Sequence, residues 1–353
     1  MGASGPRHPF RGSGERTWYL EWLRVSACLA VVLIHCFVTL LDNASIDEVG
    51  ILRALSWTEV LVVFCRWAVP VFLMVTGSLL LDPARRITWN KNLWYVFRIA
   101  TVLLTFGTMF ALMELVFSSK AFEVSMVPAA VSNVLQGRGW AHFWYLYDLL
   151  GIYLLLPLLR AFTAASTRED MRRMLVVLFI FSLAVPTLNA AAGLDVSTLI
   201  WLGSSAFYVM LGRYLSTYNI RVAPVLLAGA VSVVLLALLA GGGIVADGTY
   251  LRWVWSPSSP FVAIWAATVF LLFKNHVDVP MAERGFARLV ASCSFAVYVI
   301  HPVFTNLLYK AMGWGEVQLP PIAFEVATFL AVFIPSLCVA WLLKRTPMLR
   351  KVL

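Results

Sequence analysis

Apolar runs long enough to cross a lipid bilayer follow one another along nearly the whole chain. A transmembrane helix needs about 20 mostly apolar residues, and in hydrocarbon the backbone must satisfy its own hydrogen bonds, as a helix does. Hydrophobic residues make up 61% of the 353 residues, which is more than a soluble domain requires. The sequence therefore predicts an all-α, polytopic integral membrane protein with about ten transmembrane helices. The predicted spans are residues 18–41, 57–81, 92–117, 143–162, 174–192, 198–215, 222–245, 257–274, 289–311 and 321–343.

The distribution of Lys and Arg predicts how these spans are oriented. With the N-terminus placed in the cytoplasm, 19 of the 27 Lys and Arg residues fall in cytoplasmic segments, four on the opposite side and four within spans. This asymmetry follows the positive-inside rule and places both termini in the cytoplasm. The net charge of +9 is therefore interpreted as topology and contact with membrane lipid of the inner leaflet. It does not indicate nucleic acid as a partner.

The predicted organisation is one membrane domain between two short tails. Residues 1–17 contain no apolar signal-peptide core and predict a disordered cytoplasmic tail. Residues 18–344 form the membrane domain, and residues 345–353 form a short basic cytoplasmic tail. All five cysteines lie in apolar runs, without the spacing of a disulfide framework or of a metal site. We therefore expect buried thiols and no metal.

Two polar residues in the first apolar run are the best clue to function. Arg24 and His35 both lie in the predicted first helix, with ten residues between them. An arginine at the centre of a membrane helix costs roughly 2.5–3.5 kcal/mol on insertion scales. Arg24 is roughly 9 Å from the cytoplasmic end of the helix and His35 roughly 9 Å from the outer end. Arg98 should share the depth of Arg24, and Arg66 in the second span could approach His35.

A second group of polar residues gathers toward the outer side. His142 and Asp148 flank an aromatic stretch at the outer start of the fourth span, and His301 lies within the ninth. A carboxylate within a span normally has a partner or handles protons. The sequence thus predicts two tiers, with arginines facing the cytoplasm and His, Asp and Arg facing outward.

Each of these residues also has a purely structural interpretation. Arg24 could pair with Glu21 one helical turn away, or extend its charge to the interface, as Arg98 could. His35 could be a hydrogen-bond partner between helices. His142 could be an interfacial residue, and His301 before Pro302 could satisfy the backbone of an irregular helix.

Four stretches, in order along the chain, resemble the motifs of a known protein family. They are residues 21–35, with EWLR and then His35; 66–80, RWAVPVFLMVTGSLL; 142–157, HFWYLYDLLGIYLLLP; and 294–302, SFAVYVIHP. The chain resembles the membrane acyltransferase-3 family and, within it, the branch that O-acylates surface polysaccharides. The family often has two arginines three residues apart near its third span, whereas this chain has Lys91 and Arg98. Thr76 stands where the family usually has Ser.

The resemblance implies transfer of an acyl group, acetyl above all, from acyl-CoA to a hydroxyl of a cell-envelope glycan or of a polyprenyl-linked sugar. It implies a multi-pass protein of the bacterial inner (plasma) membrane, which could form a homo-oligomer. His35 is then the general base or a transient acyl carrier, and Arg66 stabilises the oxyanion. The expected residues are catalytic His35, Arg24 and Asp148; donor-binding Arg24, Arg98 and Lys91; and substrate-binding Arg66, His142, Trp144, His301 and Tyr298.

Two other functions remain open on the sequence alone. A ten-helix protein with buried Arg, His and Asp could be a proton-coupled exporter or flippase of a glycan or an acyl group. It could also be a non-catalytic membrane anchor or sensor. An enzyme would transfer label from acetyl-CoA to a glycan and would lose acylation on His35→Ala, whereas an anchor would tolerate that substitution.

Overall fold

The computed structural model describes residues 17–43, 57–192, 203–247, 256–314 and 321–353. The regular structure within these ranges is helical, with no strand. The helices are α1 (Trp18–Asn43), α2 (Trp57–Cys65), α3 (Ala68–Leu80), α4 (Trp89–Ser119), α5 (Met126–Leu135), α6 (Trp144–Ala165), α7 (Arg168–Ala192), α8 (Ser204–Thr217), α9 (Val222–Asp247), α10 (Pro260–His276), α11 (Phe286–Ala311), α12 (Pro321–Leu343) and α13 (Pro347–Val352). Each of α4, α7 and α11 contains one π-helical turn, at Leu103–Gly107, Ile180–Ala184 and Leu307–Ala311.

Seven helical segments in the described ranges, one of them made of α2 and α3 together, are long and apolar enough to cross a membrane. They are Trp18–Phe37, Leu61–Leu80, Trp89–Ser119, Trp144–Ala165, Arg168–Ala192, Phe286–Ala311 and Ala323–Leu343. Three more apolar helices are shorter: Met126–Leu135, Val222–Leu238 and Pro260–His276. The all-helical class is confirmed and is consistent with a polytopic membrane protein. The number of ten spans and the cytoplasmic location of both termini stay predictions.

Several helix boundaries differ from the predicted ones for local reasons. Helix α7 begins at Arg168, six residues before the predicted start, because Thr167 and Asp170 form a capping box. Helix α5 was not predicted. Residues 198–202 of the predicted sixth span and residues 1–16 of the first tail lie outside the described ranges.

The predicted span 57–81 is broken into two helices, α2 and α3, at Arg66 and Trp67. Pro70 has no N–H to donate to the carbonyl of Arg66 four residues earlier, so regular hydrogen bonding cannot continue there. The Arg66 amide instead donates to the carbonyl of Val63 at 3.2 Å. The carbonyl of Phe64 accepts a hydrogen bond from the Trp265 indole of α10 at 2.9 Å. The break therefore places Arg66 at a bend and not in the middle of a straight helix.

Helix α1 lies in the core and runs parallel to α11. Sγ of Cys28 lies 3.9 Å from the carbonyl oxygen of Ser294, and seven residues further along each helix the rings of His35 and His301 meet. Both pairs have the same sequence separation, and seven residues are about two helical turns. The same faces of α1 and α11 are thus in contact along their length.

Helices α3 and α8 cross at very short range through two glycines. A Cβ added to Gly77 would overlap the backbone carbonyl of Val209, and one added to Gly212 would overlap the backbone of Met74. The Ser78 hydroxyl, at the same crossing, lies within hydrogen-bond distance of the carbonyl oxygens of Met74 and Gly212, at 2.8 and 2.9 Å. Small residues allow membrane helices to approach closely, so this crossing fixes α8 against the helix that follows Arg66.

Long basic side chains bind the free carbonyls at the carboxyl ends of helices. The Arg160 guanidinium donates to carbonyls of residues 80, 82 and 85 at the end of α3. The Lys274 ammonium donates to the carbonyls of Leu215 and Tyr218 at the end of α8, at 2.5 and 3.1 Å. The last carbonyls of a helix lack intrahelical partners, and basic groups there also complement the helix dipole. Part of the basic charge of this chain therefore has a structural role.

Candidate active site

Three histidines from distant parts of the chain meet beside α1. The ring centroid of His35 lies 5.0 Å from that of His301 on α11 and 6.3 Å from that of His142. The centroids of His142 and His301 are 5.9 Å apart. We refer to these three residues as the histidine cluster. The structure thus joins in one place residues that were predicted from three separate motifs.

His142 is placed by a short turn and a tyrosine. It lies in a 3₁₀ turn, Ala141–Phe143, directly before α6. The Tyr298 hydroxyl of α11 donates a hydrogen bond to the carbonyl of His142, and the two rings are 5.8 Å apart. Tyr298 and His301 are three residues apart, so they lie on the same face of α11. Helix α11 therefore supplies both a histidine of the cluster and the group that holds the His142 turn.

His301 has one ring nitrogen bound to the backbone and one that is not. Its Nδ1 lies 3.1 Å from the carbonyl oxygen of Val297. A carbonyl oxygen only accepts, so the hydrogen is assigned to Nδ1 and Nε2 keeps its lone pair. This bond holds the His301 ring against its own helix and leaves Nε2 available to another group.

Two imidazole nitrogens of the histidine cluster are buried without a hydrogen-bond partner within the described ranges. They are Nε2 of His142 and Nε2 of His301, in residues that are 4% and 0% exposed. Buried polar atoms in folded proteins nearly always have a partner. Burial lowers the pKa of His142 to about 3, with a smaller contribution from His35, so its imidazole is neutral at physiological pH. The cluster therefore contains two buried ring nitrogens that could bind a further group, and the ring of His142 is neutral.

The bend between α2 and α3 brings a positive charge to this cluster. The Arg66 guanidinium lies close enough to His35 for their charges to interact. Arg66 is only partly exposed, and the helix break positions it. A cation beside a neutral imidazole is suited to stabilising negative charge that develops during a reaction.

The arginine end of α1, defined by Arg24 and Arg98, lies roughly 16 Å along the helix from His35. The charges of the two arginines interact, as their predicted common depth requires. Nη1 of Arg24 lies 3.3 Å from a carboxylate oxygen of Glu21. The Arg98 guanidinium donates to the carbonyls of Val352 and Leu353 at 2.6 and 3.0 Å. Arg98 therefore binds the carboxyl end of α13, in the same way as the other helix-capping cations.

Four tyrosines connect the arginine end with the histidine cluster, and sequence reasoning missed three of them. Ring centroids of Tyr95 and Tyr153 are 5.5 Å apart, and those of Tyr145 and Tyr298 are 5.3 Å apart. The charge of Arg24 reaches both Tyr145 and Tyr153. These two residues are eight apart on α6, a spacing that places them near one face of the helix. That spacing was the available signal, but tyrosines near membrane ends usually mark the interface.

The remaining predicted site residues are not members of the histidine cluster, although the charge of Asp148 reaches Tyr145 and Tyr298. The Asp148 carboxylate accepts a hydrogen bond from the Ser205 hydroxyl of α8. Trp144 is 39% exposed, and its ring contacts Tyr145 edge-on at 6.3 Å. Lys91 is exposed in the first turn of α4. Within the described ranges, no group of three or more His, Cys, Asp or Glu side chains is arranged to hold a metal ion.

These features are consistent with a polytopic membrane protein that has a buried histidine cluster at one end of α1 and guanidinium groups at the other. Residues 17–345 match the acyltransferase 3 family, whose model is described as an acyltransferase domain. The chain therefore belongs to this family of membrane acyltransferases. No curated protein and no solved structure matches it. Family membership implies an acyl donor and an acceptor.

Proposed function

We propose that the protein transfers an acyl group, acetyl above all, from acyl-CoA to a hydroxyl of a cell-envelope glycan or its polyprenyl-linked precursor in a bacterial inner membrane. One observation carries the proposal. The histidine cluster holds two buried imidazole nitrogens without a hydrogen-bond partner in the described ranges, beside the charge of Arg66, within an acyltransferase domain.

The chemistry follows from the positions of His35 and Arg66. His35 accepts the proton of the acceptor hydroxyl as its oxygen attacks the thioester carbonyl carbon. The oxyanion of the tetrahedral intermediate lies beside the Arg66 guanidinium, which stabilises it. The carbon–sulfur bond then breaks, the ester is complete, and the thiolate takes the proton from the His35 imidazolium. An acyl-His35 intermediate is the alternative route, in which the imidazole attacks the thioester first.

The neighbouring residues hold the reactants. In the proposal, Nε2 of His142 and of His301 accept hydrogen bonds from acceptor hydroxyls, because both atoms are buried with no partner in the described ranges. Tyr298 positions His142 through its carbonyl. Trp144 lies with its indole partly exposed, which suits stacking on a sugar ring.

On the donor side, Arg24 binds the phosphates of acyl-CoA by charge-assisted hydrogen bonds. Arg98 and Lys91 add positive charge nearby, although Arg98 already donates to two carbonyls. Asp148 binds Ser205 and in this proposal stabilises α8 beside the site.

The test combines label transfer with analysis of the cell-envelope glycan. Purified protein in proteoliposomes with acetyl-labelled acetyl-CoA should yield labelled glycan, and glycan mass spectrometry should show loss of one acyl mass in His35→Ala. We expect the transfer rate to fall at least about 100-fold, with normal membrane abundance. His276→Ala is a matched control, because that histidine is exposed at the end of α10. Label that crosses the membrane without forming an ester would favour an exporter, and an unchanged glycan in His35→Ala would contradict catalysis.

A further inference from the structure

A cavity of about 220 Å³ opens between the amino-terminal turns of α1 and α11. Its walls combine cationic, aromatic and backbone groups. It is lined by Trp18, Glu21, Arg24, Met281, Arg288, Ala291 and Ser292. Because α1 and α11 run parallel, the cavity and the histidine cluster lie at opposite ends of one helix pair.

Two guanidinium groups face this cavity, and only one of them was expected from the sequence. Arg24 pairs with Glu21, but both side chains are partly exposed, at 32% and 22%. Such a pair contributes little stability, so a phosphate can displace the carboxylate from Arg24. Arg288 lies with its guanidinium carbon 5.9 Å from the ring centroid of Trp18. Trp18 thus provides an aromatic wall that supports Arg288.

Further positive charge surrounds the cavity. The Lys344 ammonium donates a hydrogen bond to the carbonyl of Ser292, which belongs to a lining residue. Glu21 is the one acidic residue in the lining, so the surroundings favour an anion.

Arg98 is less suited than Arg288 to bind an anion in this cavity. Its guanidinium donates to the carbonyls of Val352 and Leu353 and stacks over Phe295 at 5.0 Å. Arg288, in contrast, lines the cavity directly. The two positively charged groups best placed to bind an anion within the cavity are therefore Arg24 and Arg288.

We propose that this cavity binds the phosphate-bearing head of the acyl-CoA donor, with Arg24 and Arg288 as the phosphate ligands and Trp18 as an aromatic wall. The inference rests on the proposed function, since it assigns the donor of that reaction to a place. Guanidinium groups bind phosphate oxygens in bidentate fashion. From there the acyl-bearing arm follows α1 and α11 past Tyr145 toward His35, roughly 16 Å further along α1.

The test measures binding of CoA to full-length protein in nanodiscs of neutral phosphatidylcholine, by isothermal titration calorimetry. We expect Arg288→Gln to weaken CoA binding about tenfold or more, while Arg288→Lys should give an intermediate affinity, since a lysine retains the charge but not the planar fork. Arg284→Gln is the matched control, because Arg284 is exposed four residues earlier and does not line the cavity. Pantetheine, which lacks the phosphates, should bind wild type and Arg288→Gln equally.

The other possible outcomes distinguish a failure of this inference from a failure of the proposed function. Equal CoA affinity in wild type and Arg288→Gln would overturn the site and leave the acyltransferase proposal intact. If wild type binds no CoA in any nanodisc, the proposed donor itself is wrong. Weaker retention of phosphatidylglycerol by Arg288→Gln, with CoA binding unchanged, would assign the cavity to a lipid phosphate and overturn the inference. Arg24→Gln provides a second variant should Arg288→Gln fail to elute as a single species in size-exclusion chromatography.

Discussion

The two ends of α1 differ in whether the charged and polar side chains there have partners within the described fold. At the arginine end, Arg24 pairs with a carboxylate and Arg98 with two backbone carbonyls. In the histidine cluster, Nε2 of His142 and of His301 are buried without a partner in the described ranges. A polar side chain deep in a membrane protein is thus not functional by its depth alone. The described fold leaves these two ring nitrogens without partners, whereas it binds the Arg98 guanidinium to the backbone. Arg24 lies between these cases, because its ion pair with Glu21 is partly exposed and a phosphate can displace it.

Of the substitutions considered, that of Arg66 should lower the transfer rate most. A small effect would contradict the contrast drawn between the two ends of α1. We expect Arg66→Gln to lower kcat about 100-fold, because it removes one preorganised group that stabilises the oxyanion. Arg66→Lys should give an intermediate rate, since a lysine retains the charge but not the planar fork. Initial rates of label transfer provide the measurement, with Arg138→Gln, an exposed arginine, as the control. Full activity in Arg66→Gln would remove Arg66 from the proposed mechanism.

The Tyr298 hydroxyl offers a sharper test, because Tyr208 makes a bond of the same kind that involves no residue of the histidine cluster. The Tyr208 hydroxyl donates to the carbonyl of Pro257 at 2.6 Å, as Tyr298 does to that of His142. Each Tyr→Phe substitution should cost about 1 kcal/mol of stability. Only Tyr298→Phe should lower the transfer rate, by up to about tenfold, because only Tyr298 holds a histidine of the cluster. Equal rate losses in both variants, with equal thermal shifts, would show that Tyr298 is merely structural.

Arg98 tests the arginine end as a structural element. Arg98→Gln removes two charge-assisted hydrogen bonds from the end of α13, so trypsin should cleave faster at the exposed Arg350 and Lys351 of the detergent-solubilised protein. Transfer activity should stay within about threefold, the scale of an exposed ion pair. Lys91→Gln, exposed on the same helix, should leave the cleavage rate unchanged. A tenfold loss of CoA affinity in Arg98→Gln would instead make Arg98 a donor ligand.

The pH dependence of stability offers a test that does not depend on the transfer rate. Burial lowers the pKa of His142 to about 3, below the ordinary value of about 6.5. Between these values the unfolded chain binds a proton at His142 that the folded protein does not, so the free energy of unfolding decreases as the pH falls below about 6.5. His142→Gln should therefore lose part of the fall in Tm between pH 7.5 and 5. His276→Gln, exposed, should follow wild type, and identical pH profiles for all three proteins would contradict the burial of His142.

The helical class follows from local sequence, whereas the meeting of the three histidines depends on the packing of distant segments. Apolar runs of about 20 residues leave a membrane helix as the one simple solution, and His35 and His301 each lie inside such a run. The break at Arg66 was not predicted, because the apolar pattern continues across it. Pro70 was the available signal. The apolar pattern indicates which residues avoid water, whereas the break depends on the one N–H that Pro70 lacks.

The partners of the cations could not be predicted. Arg98 binds carbonyls that lie more than 250 residues away in the chain, and a carbonyl carries no residue-specific signal in the sequence. For the same reason Arg288 went unnoticed, since it is recognisable only when α11 lies against Trp18 and Arg24. Interactions with the backbone and between distant helices are properties of packing, which a single sequence does not display.

Because α1 pairs with α11 in parallel, the number of residues between Arg24 and His35 determines the direction and the depth at which the His35 ring lies. One extra residue inserted there would carry the His35 ring about 100° around the helix and about 1.5 Å along it. The imidazole would then face away from His301, while both segments remained fully apolar and helical. Insertions are therefore far harder to accommodate in this short stretch than in the connections between helices, although its composition looks like that of any other membrane-spanning helix.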